Sequence, residues 1–519
     1  MKAMASTGRA GMTVSLSAAE TGKHSYHDFA FAMNQKTLAI LFLIAVMQSC
    51  ISFAPLVLAA DQLPPPVKQK LTQAGIPESA VGIYVHTIGA PQPEIAFNAD
   101  AAMNPASVMK LVTTYAGLEI LGPAYSWQTV LYAHGKITDG VLHGDLVIKG
   151  YGDPKLDLEN FWLLIHRLRQ TGLHEISGNL ILDRTHYDIP DDDPGAFDGQ
   201  PYRTYNIIPE ALLINYRSTA LHFMPDPVKN AVRVVTDPVS DSLTVLNNLN
   251  LSNKSCGADW HNAMDIDIQA NRDDGSSILV VLNGSFSSQC GKRTYLLGLH
   301  DSATYTRDLF KQLWSQQGGV FRGDVVISEA PSGLISIKTY HSPPLAEIIR
   351  GINKFSNNIA ARQLYLTLGT AGSTNRSRSP ATLNKSEHAL KQWLASKQMF
   401  FPELVVENGS GLSRKERISA RNMGRLLLAA FDSPVMPEFI SSMPIAAVDG
   451  TMRNRMADSS VKGLAHMKTG TLNNVRALAG YMLDKSGQRV IVVIFVNHAK
   501  AISSRAAMDA LLQWTYDRE

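Results

Sequence analysis

Ser107-Val-Met-Lys-Leu-Val-Thr-Thr-Tyr-Ala-Gly-Leu-Glu-Ile-Leu121 sets a serine three positions ahead of a lysine at the head of an apolar periodic run. Val108, Leu111, Val112, Tyr115, Leu118 and Leu121 recur at helical spacing, so a helix over 107–121 is expected. Pro105 stands just before it and Gly122-Pro123 ends it. Positions i and i+3 share a helix face, which places Lys110 beside Ser107. A serine hydroxyl is a weak nucleophile at neutral pH and needs a base within reach. Buried near other cations, a lysine has its pKa lowered enough to be that base. Alone the pattern carries little weight. Composition gives about two chance matches in a chain this long, and an isolated match reads as an ordinary helix start.

Two later motifs change that reading. Ser356-Asn357-Asn358 supplies a hydroxyl and an amide, and Lys468-Thr469-Gly470-Thr471 supplies a cation and hydroxyls on an expected strand. Ser356 would relay a proton toward the leaving amine. Asn358 would hold Lys110 and the substrate amide, and Lys354 would add positive field. Lys468 and Thr469 suit a substrate carboxylate. The backbone N–H groups of Ser107 and Thr471 would form an oxyanion hole. Gly470 weakens a strand unless another backbone approaches closely, and a substrate laid alongside as an extra strand is expected there. Taken singly, the second motif also reads as a polar cap and the third as an edge strand with a bulge. Their order and their placement on helix, loop and strand agree, and agreement across levels gives the set its weight. The same triad of motifs marks β-lactamases and penicillin-binding proteins.

The chain has 519 residues, 45% hydrophobic and 18% charged, which suits about two or three domains. A net charge of +3 is too small for a nucleic-acid footprint. Lys36 precedes an apolar run from Leu38 to Met47, with Ala59 and Ala60 beyond it. This reads as a secretory signal with cleavage near Ala59 or Ala60, or else as a retained anchor. Removal of Cys50 with that segment leaves Cys256 and Cys290, an even pair suited to a disulfide in an oxidising compartment. The 15 histidines show no H-x-x-x-H pair with a nearby acid, so neither a metal nor any other cofactor is expected.

Strands are expected at Val81–His86, Pro93–Phe97, Ala465–Thr471, Ala477–Leu483 and Val490–Asn497, and a last helix at about Ser503–Thr515. From Trp127 to Ile337 the texture is one of many short apolar runs punctuated by Gly, Asn and Asp. About 250 residues separate Ser107 from Ser356, far more than a single-domain serine β-lactamase needs. The expected fold class is therefore multidomain α/β, with one domain built from both ends of the chain and β-rich domains inserted in it.

At this point the chain resembles the class C low-molecular-mass penicillin-binding proteins of the penicillin-binding protein 4 type, D-alanyl-D-alanine carboxypeptidase/endopeptidases. The resemblance rests on Asn104-Pro-Ala-Ser-Val-Met-Lys-Leu-Val-Thr-Thr114, Gly144-Asp-Leu-Val-Ile-Lys-Gly-Tyr-Gly-Asp-Pro154, Asn408-Gly-Ser-Gly-Leu-Ser-Arg414 and Asp449-Gly-Thr-Met-Arg453. It implies a penicillin-binding serine transpeptidase/β-lactamase-like domain, an antiparallel sheet with helices. That domain would span 61–125 and 338–519 after a targeting segment 1–60. A second domain would span 126–225 and 301–337, with a third at 226–300. The resemblance also implies an acyl-enzyme on Ser107, peptidoglycan stem peptides and cross-links as substrates, inhibition by β-lactam antibiotics and a periplasmic location. It leaves loose membrane association and a homodimer open. Arg414 matches a position near the substrate's diaminopimelate end, and Asp198 after Phe197 is aligned with an acidic residue of similar role. Asn473 stands where the family often has Gln. Asp198 and Asn473 read equally well as a loop-capping aspartate and a turn asparagine. The nearest rival, a secreted serine β-lactamase, would need a deacylating Glu-x-x-Asn loop, and none is evident. A non-catalytic binding protein would be expected to lack Ser107, Lys110 or Lys468.

Overall fold

Two segments separated by most of the sequence form one antiparallel sheet. Its five strands lie in the order Ala465–Leu472, Val475–Leu483, Arg489–Asn497, Val81–Thr87 and Ile95–Phe97. The register pairs Lys468 with Ala479 and Ile83 with Ile494. This computed structural model describes residues 61–257, 259–270, 277–370 and 379–518. The secretory segment expected over 1–60 lies outside the described residues. Among those residues no helix is long and apolar enough to cross a membrane.

The apolar run Val490–Val496 explains why the sheet is covered on both faces. Successive strand side chains point to opposite sides. Ile491, Val493 and Phe495 therefore pack with Tyr481 against the helices that carry the motifs. Val490, Val492, Ile494 and Val496 pack on the other side with residues of helices Pro65–Ala74 and Arg505–Asp517. On the first side, helix Lys110–Leu121 is buried along most of its length against helices Leu345–Phe355 and Asn358–Leu368. At the closest approach, a Cβ on Gly117 would lie 3.0 Å from Leu364.

The helix expected over 107–121 begins differently. Ala106–Met109 is a 3-10 turn and the α-helix starts at Lys110. Ala106 has φ 45°, and the Val108 N–H donates to the Pro105 carbonyl at 3.1 Å. The tighter winding follows from that left-handed residue, and Ser107 sits in the turn rather than on a regular helix.

Between these segments lie three further sheets among the described residues. A seven-stranded sheet takes strands from Gln128–Thr138 through Ile335–His341, a three-stranded sheet pairs Thr219–Asp226 with Ala231–Asp237 and Arg293–Leu297, and a four-stranded sheet is centred on Ile278–Ser287. Strand Thr219–Asp226 thus runs one residue past the expected 225/226 boundary and pairs with strands beyond it. Likewise Ile335–His341 pairs across the expected 337/338 boundary with Gln128–Ala133. The β-rich expectation missed two helices here, Leu158–Arg169 and Ser302–Gln316. Asp157 and Asp301 cap them by accepting backbone N–H groups, and both helices bury apolar stripes in the core of the seven-stranded sheet.

Cys256 and Cys290 form a disulfide with Cα atoms 4.9 Å apart, linking chain 34 positions apart beside Phe223 and Phe286. Closing a loop of that length contributes about 3–4 kcal/mol by restricting the unfolded chain. Replacing both cysteines by serine is expected to lower the thermal midpoint by several degrees while leaving the reactivity of Ser107 intact. A thermal melt together with a serine-labelling assay checks this, and unchanged stability would refute it.

Candidate active site

Lys110 is fully buried, and its Nζ lies 2.9 Å from Ser107 Oγ and 2.6 Å from Asn358 Oδ1. It also donates to the Ser410 carbonyl. Three chain segments therefore meet on one nitrogen. Burial drives the Lys110 pKa well below its ordinary value, the nearby Lys468 charge lowers it further, and Glu416 opposes the shift. A neutral amine has two N–H groups and one lone pair. Two carbonyl oxygens can only accept, so they take the N–H groups and leave the lone pair facing the Ser107 hydroxyl.

Lys468 is also fully buried, and burial pushes its pKa down to about 7. Its Nζ donates to Ser356 Oγ at 3.0 Å and to the Thr469 carbonyl at 2.8 Å. Ser356 is held in the left-handed region at φ 58° between helices Leu345–Phe355 and Asn358–Leu368. Asn357 caps the second helix by accepting the Ala360 N–H at 3.0 Å. Lys354 does not contribute free positive field as expected. Its Nζ is 2.6 Å from Asp449 Oδ2 and donates to the Met443 carbonyl, so its charge is neutralised within the fold.

The strand Ala465–Leu472 lies at the sheet edge. Segment 444–446 covers the edge as far as Met467, whose N–H donates outward to the Pro444 carbonyl. Main-chain groups alternate sides along a strand, so the N–H groups of Thr469 and Thr471 face the open continuation of that edge. Thr469 Oγ1 donates to Thr451 Oγ1 at 2.8 Å. Gly470 has a role other than the expected approach of substrate. A Cβ there would lie 2.6 Å from the Pro105 carbonyl oxygen and 3.1 Å from Ala106 Cβ. The missing side chain lets the turn bearing Ser107 seat against the strand.

Sequence reasoning passed over three supports. Asn104 accepts the Ala106 N–H at 2.8 Å through Oδ1, donates to the Ser413 carbonyl at 2.9 Å, and takes the Asn497 side-chain oxygen on its backbone N–H. Glu416 is fully buried, and its Oε1 accepts the N–H groups of Glu407, Asn408 and Gly409 at 3.1–3.2 Å. Burial raises the Glu416 pKa, while those donors and Lys110 oppose the rise. Gly411, at φ 82°, lies under the turn that carries Ser107. A glutamate two residues after Arg414 was the available signal for this loop support, but nothing in its spacing marks burial.

Arg414, Asp198 and Asn473 gather at a separate rim. Arg414 lies over the Phe197 ring at 4.5 Å and donates to the Asn473 carbonyl at 3.2 Å. The Asp198 carboxylate turns into its own loop, accepting from the Gln200 N–H, Tyr205 hydroxyl and Asn206 amide. The loop-capping reading of Asp198 thus describes its present contacts, and Asn473 lies in the turn between two strands.

The sequence model for the D-Ala-D-Ala carboxypeptidase 3 (S13) family matches residues 65–517. The chain is 26% identical over 431 residues to the D-alanyl-D-alanine carboxypeptidase DacB of Haemophilus influenzae, covering 82% of this chain and 87% of that protein. It is 26% identical over 414 residues to the D-alanyl-D-alanine carboxypeptidase of an Actinomadura species, covering 76% of this chain and 73% of that protein. The crystal structure of penicillin binding protein 4 from H. influenzae superposes with a TM-score of 0.69 at 22% identity, covering 86% of this chain and 99% of that one. The fold is that of this penicillin-binding protein, an α/β arrangement with antiparallel sheets.

A Cβ at Gly411 would stand 2.0 Å from the Ala106 carbonyl oxygen, whereas one at Gly89, also at positive φ, meets nothing within 4 Å. Gly411→Ala is expected to slow acylation of Ser107 by a β-lactam probe more than tenfold and to cost about 1–3 kcal/mol of stability. Gly89→Ala, as a control for backbone strain alone, should leave the acylation rate unchanged. Equal effects at both positions in labelling kinetics would refute the close-approach argument.

Proposed function

The chain belongs to the D-Ala-D-Ala carboxypeptidase 3 (S13) family, and from that premise we propose that it is a serine carboxypeptidase and DD-endopeptidase acting on peptidoglycan peptides. The observation that carries the reading is the buried Lys110 amine, whose Nζ lies 2.9 Å from Ser107 Oγ while the Asn358 and Ser410 carbonyl oxygens are placed to accept its N–H groups. In this reading Lys110 takes the Ser107 proton as Oγ attacks the penultimate D-Ala carbonyl. The N–H groups of Ser107 and Thr471 receive the oxyanion. Asn358 keeps Lys110 in place and holds the substrate amide. Lys468 and Thr469 hold the carboxylate of the leaving residue. The leaving amine receives its proton through Ser356, which lies 3.0 Å from Lys468, or from Lys110 directly. Water then hydrolyses the ester on Ser107.

β-Lactam antibiotics enter the same path, but their leaving group stays tethered and the acyl-enzyme persists. The substrate's location in the cell wall implies export to the periplasm. The rim of Arg414, with Phe197 beneath it, is the candidate contact for the diaminopimelate end of the substrate.

Intact-mass spectrometry after mixing with penicillin is the direct test. A persistent one-to-one adduct, absent in Ser107→Ala, together with D-alanine release from a pentapeptide, is expected. An adduct that disappears as penicillin is consumed would favour a β-lactamase, and no adduct would overturn the nucleophile.

The two lysines also set a pH profile. Acylation needs Lys110 neutral and Lys468 charged. The rate should therefore rise as pH climbs through the ionisation of Lys110 and fall as pH rises through about 7, where Lys468 loses its proton. Because the ammonium groups interact, the two limbs belong to the pair. Lys468→Arg, which keeps its charge, should move the alkaline limb upward. A profile that is flat between about pH 5 and 9 would sink the lysine-base assignment.

A further inference from the structure

An open cavity of about 570 Å³ lies against the strand Ala465–Leu472, lined by Thr469, Thr471, Arg453, Arg455, Arg476 and Arg505 among others. Arg476 stands opposite Thr471 in the strand register. Directly opposed residues of antiparallel strands point to the same face, so Arg476 shares a face with the Thr471 and Thr469 side chains. Arg505 comes from the last helix, and Arg453 and Arg455 come from the stretch following Asp449-Gly-Thr.

The charges there are not balanced internally. Asp509 pairs with Arg455 and lies 3.8 Å from Arg505. Arg453 and Arg476 have no acidic partner among the described residues. Arg455 is 8% exposed, yet its Nη2 is buried with no hydrogen-bond partner. Burial lowers the Arg476 pKa, and the neighbouring Arg455 charge lowers it further. Four guanidiniums against one carboxylate repel one another unless an anion joins them, and a guanidinium fork fits a carboxylate.

We propose that this arginine-lined cavity is the subsite for the acidic acceptor stem of a cross-linked substrate. It would bind carboxylates of the leaving segment beyond the one held at Thr469 and Lys468. The inference rests on the proposed function and deepens it by assigning the endopeptidase specificity to named residues. Size and charge favour this occupant over a single terminal D-alanine. That residue carries one carboxylate, already provided for by Lys468 and Thr469, and would leave most of the cavity and of its positive charge unused. A leaving stem peptide carries several carboxylates and is attached where those two residues hold it.

The experiment compares three substrates on the full chain: a monomeric pentapeptide, a cross-linked muropeptide dimer, and the same dimer with its acceptor carboxylates amidated. Penicillin acylation reports the integrity of Ser107 throughout. Arg476→Ala and Arg453→Ala are expected to lower kcat/KM for the native dimer about ten- to a hundredfold, mainly through KM. Release of D-alanine from the pentapeptide should stay within about threefold, and Arg476→Lys should restore part of the loss. Wild type should show a similar loss on the amidated dimer, a result that depends on no variant folding. Equal losses on pentapeptide and dimer, no loss on the dimer, or indifference to amidation would each overturn the subsite. So would a wild type that processes the pentapeptide but not the dimer. A wild type that neither forms the penicillin adduct nor releases D-alanine would instead sink the carboxypeptidase reading itself.

Discussion

The structure turns on the complete burial of the Lys110 amine. A nitrogen removed from water must find its partners in the protein, and an unpaired one carries a large desolvation penalty. Here the partners come from chain 248 and 300 positions away, at Asn358 and Ser410. The helix, the Asn358 turn and the Ser410 loop are therefore fixed relative to one another by the same contacts that hold the Lys110 amine beside Ser107. A second buried cation, Lys468, sits close enough to depress Lys110 further, and the buried Glu416 moderates that effect. Glu416 does so without touching the lysine. It gathers three backbone N–H groups and so shapes the loop that offers the Ser410 carbonyl.

Close backbone approach is the second constraint, and glycines meet it. Gly470 admits the Pro105–Ala106 turn onto the strand edge, and Gly411 lies beneath the same turn from the opposite segment. The turn is thus held from both sides while Ala106 stays at φ 45°. A strained residue persists where its surroundings over-determine it, and here the strain tilts Ser107 out of a regular helix. Asn104 adds hydrogen bonds to the same turn, tying it to Ser413 and to the end of the strand Arg489–Asn497.

Much of this could be read from the chain, for physical reasons. Ser107 with Lys110, Ser356 with Asn358, and Lys468 are short motifs whose spacing fixes their geometry. The strands of the catalytic sheet are apolar runs bounded by clear turns. What escaped reading depended on long-range packing. Glu416 looks like any charged loop residue, and only the fold reveals that it is buried. Lys354 looks like a free cation until Asp449 is brought to it. The Ala106 kink is invisible because the apolar periodicity starts only after it, at Val108. The helix Leu158–Arg169 is a different case: Phe161, Leu164, Ile165 and Leu168 already lie at helical spacing, and the surrounding short strands obscured a legible signal.

One strand edge serves two tasks because side chains alternate across it. The Lys468 side chain and the Gly470 Cβ position face the side of Ser356 and the Ser107 turn, while the Thr469 and Thr471 side chains face the arginine cavity on the other side. Chemistry and recognition are thereby separated by the thickness of a single strand. On the face toward Ser107, Lys110 and Lys468 are fully buried and held in fixed contacts, as proton transfer between buried groups requires. The opposite face is open and carries Arg453 and Arg476, which have no acidic partner among the described residues, as capture of an anionic segment from water requires. A substrate whose leaving group crosses the strand edge meets both faces at once. The hydrogen bond between Thr469 and Thr451 lies where they join and links the strand to the stretch that supplies Arg453 and Arg455.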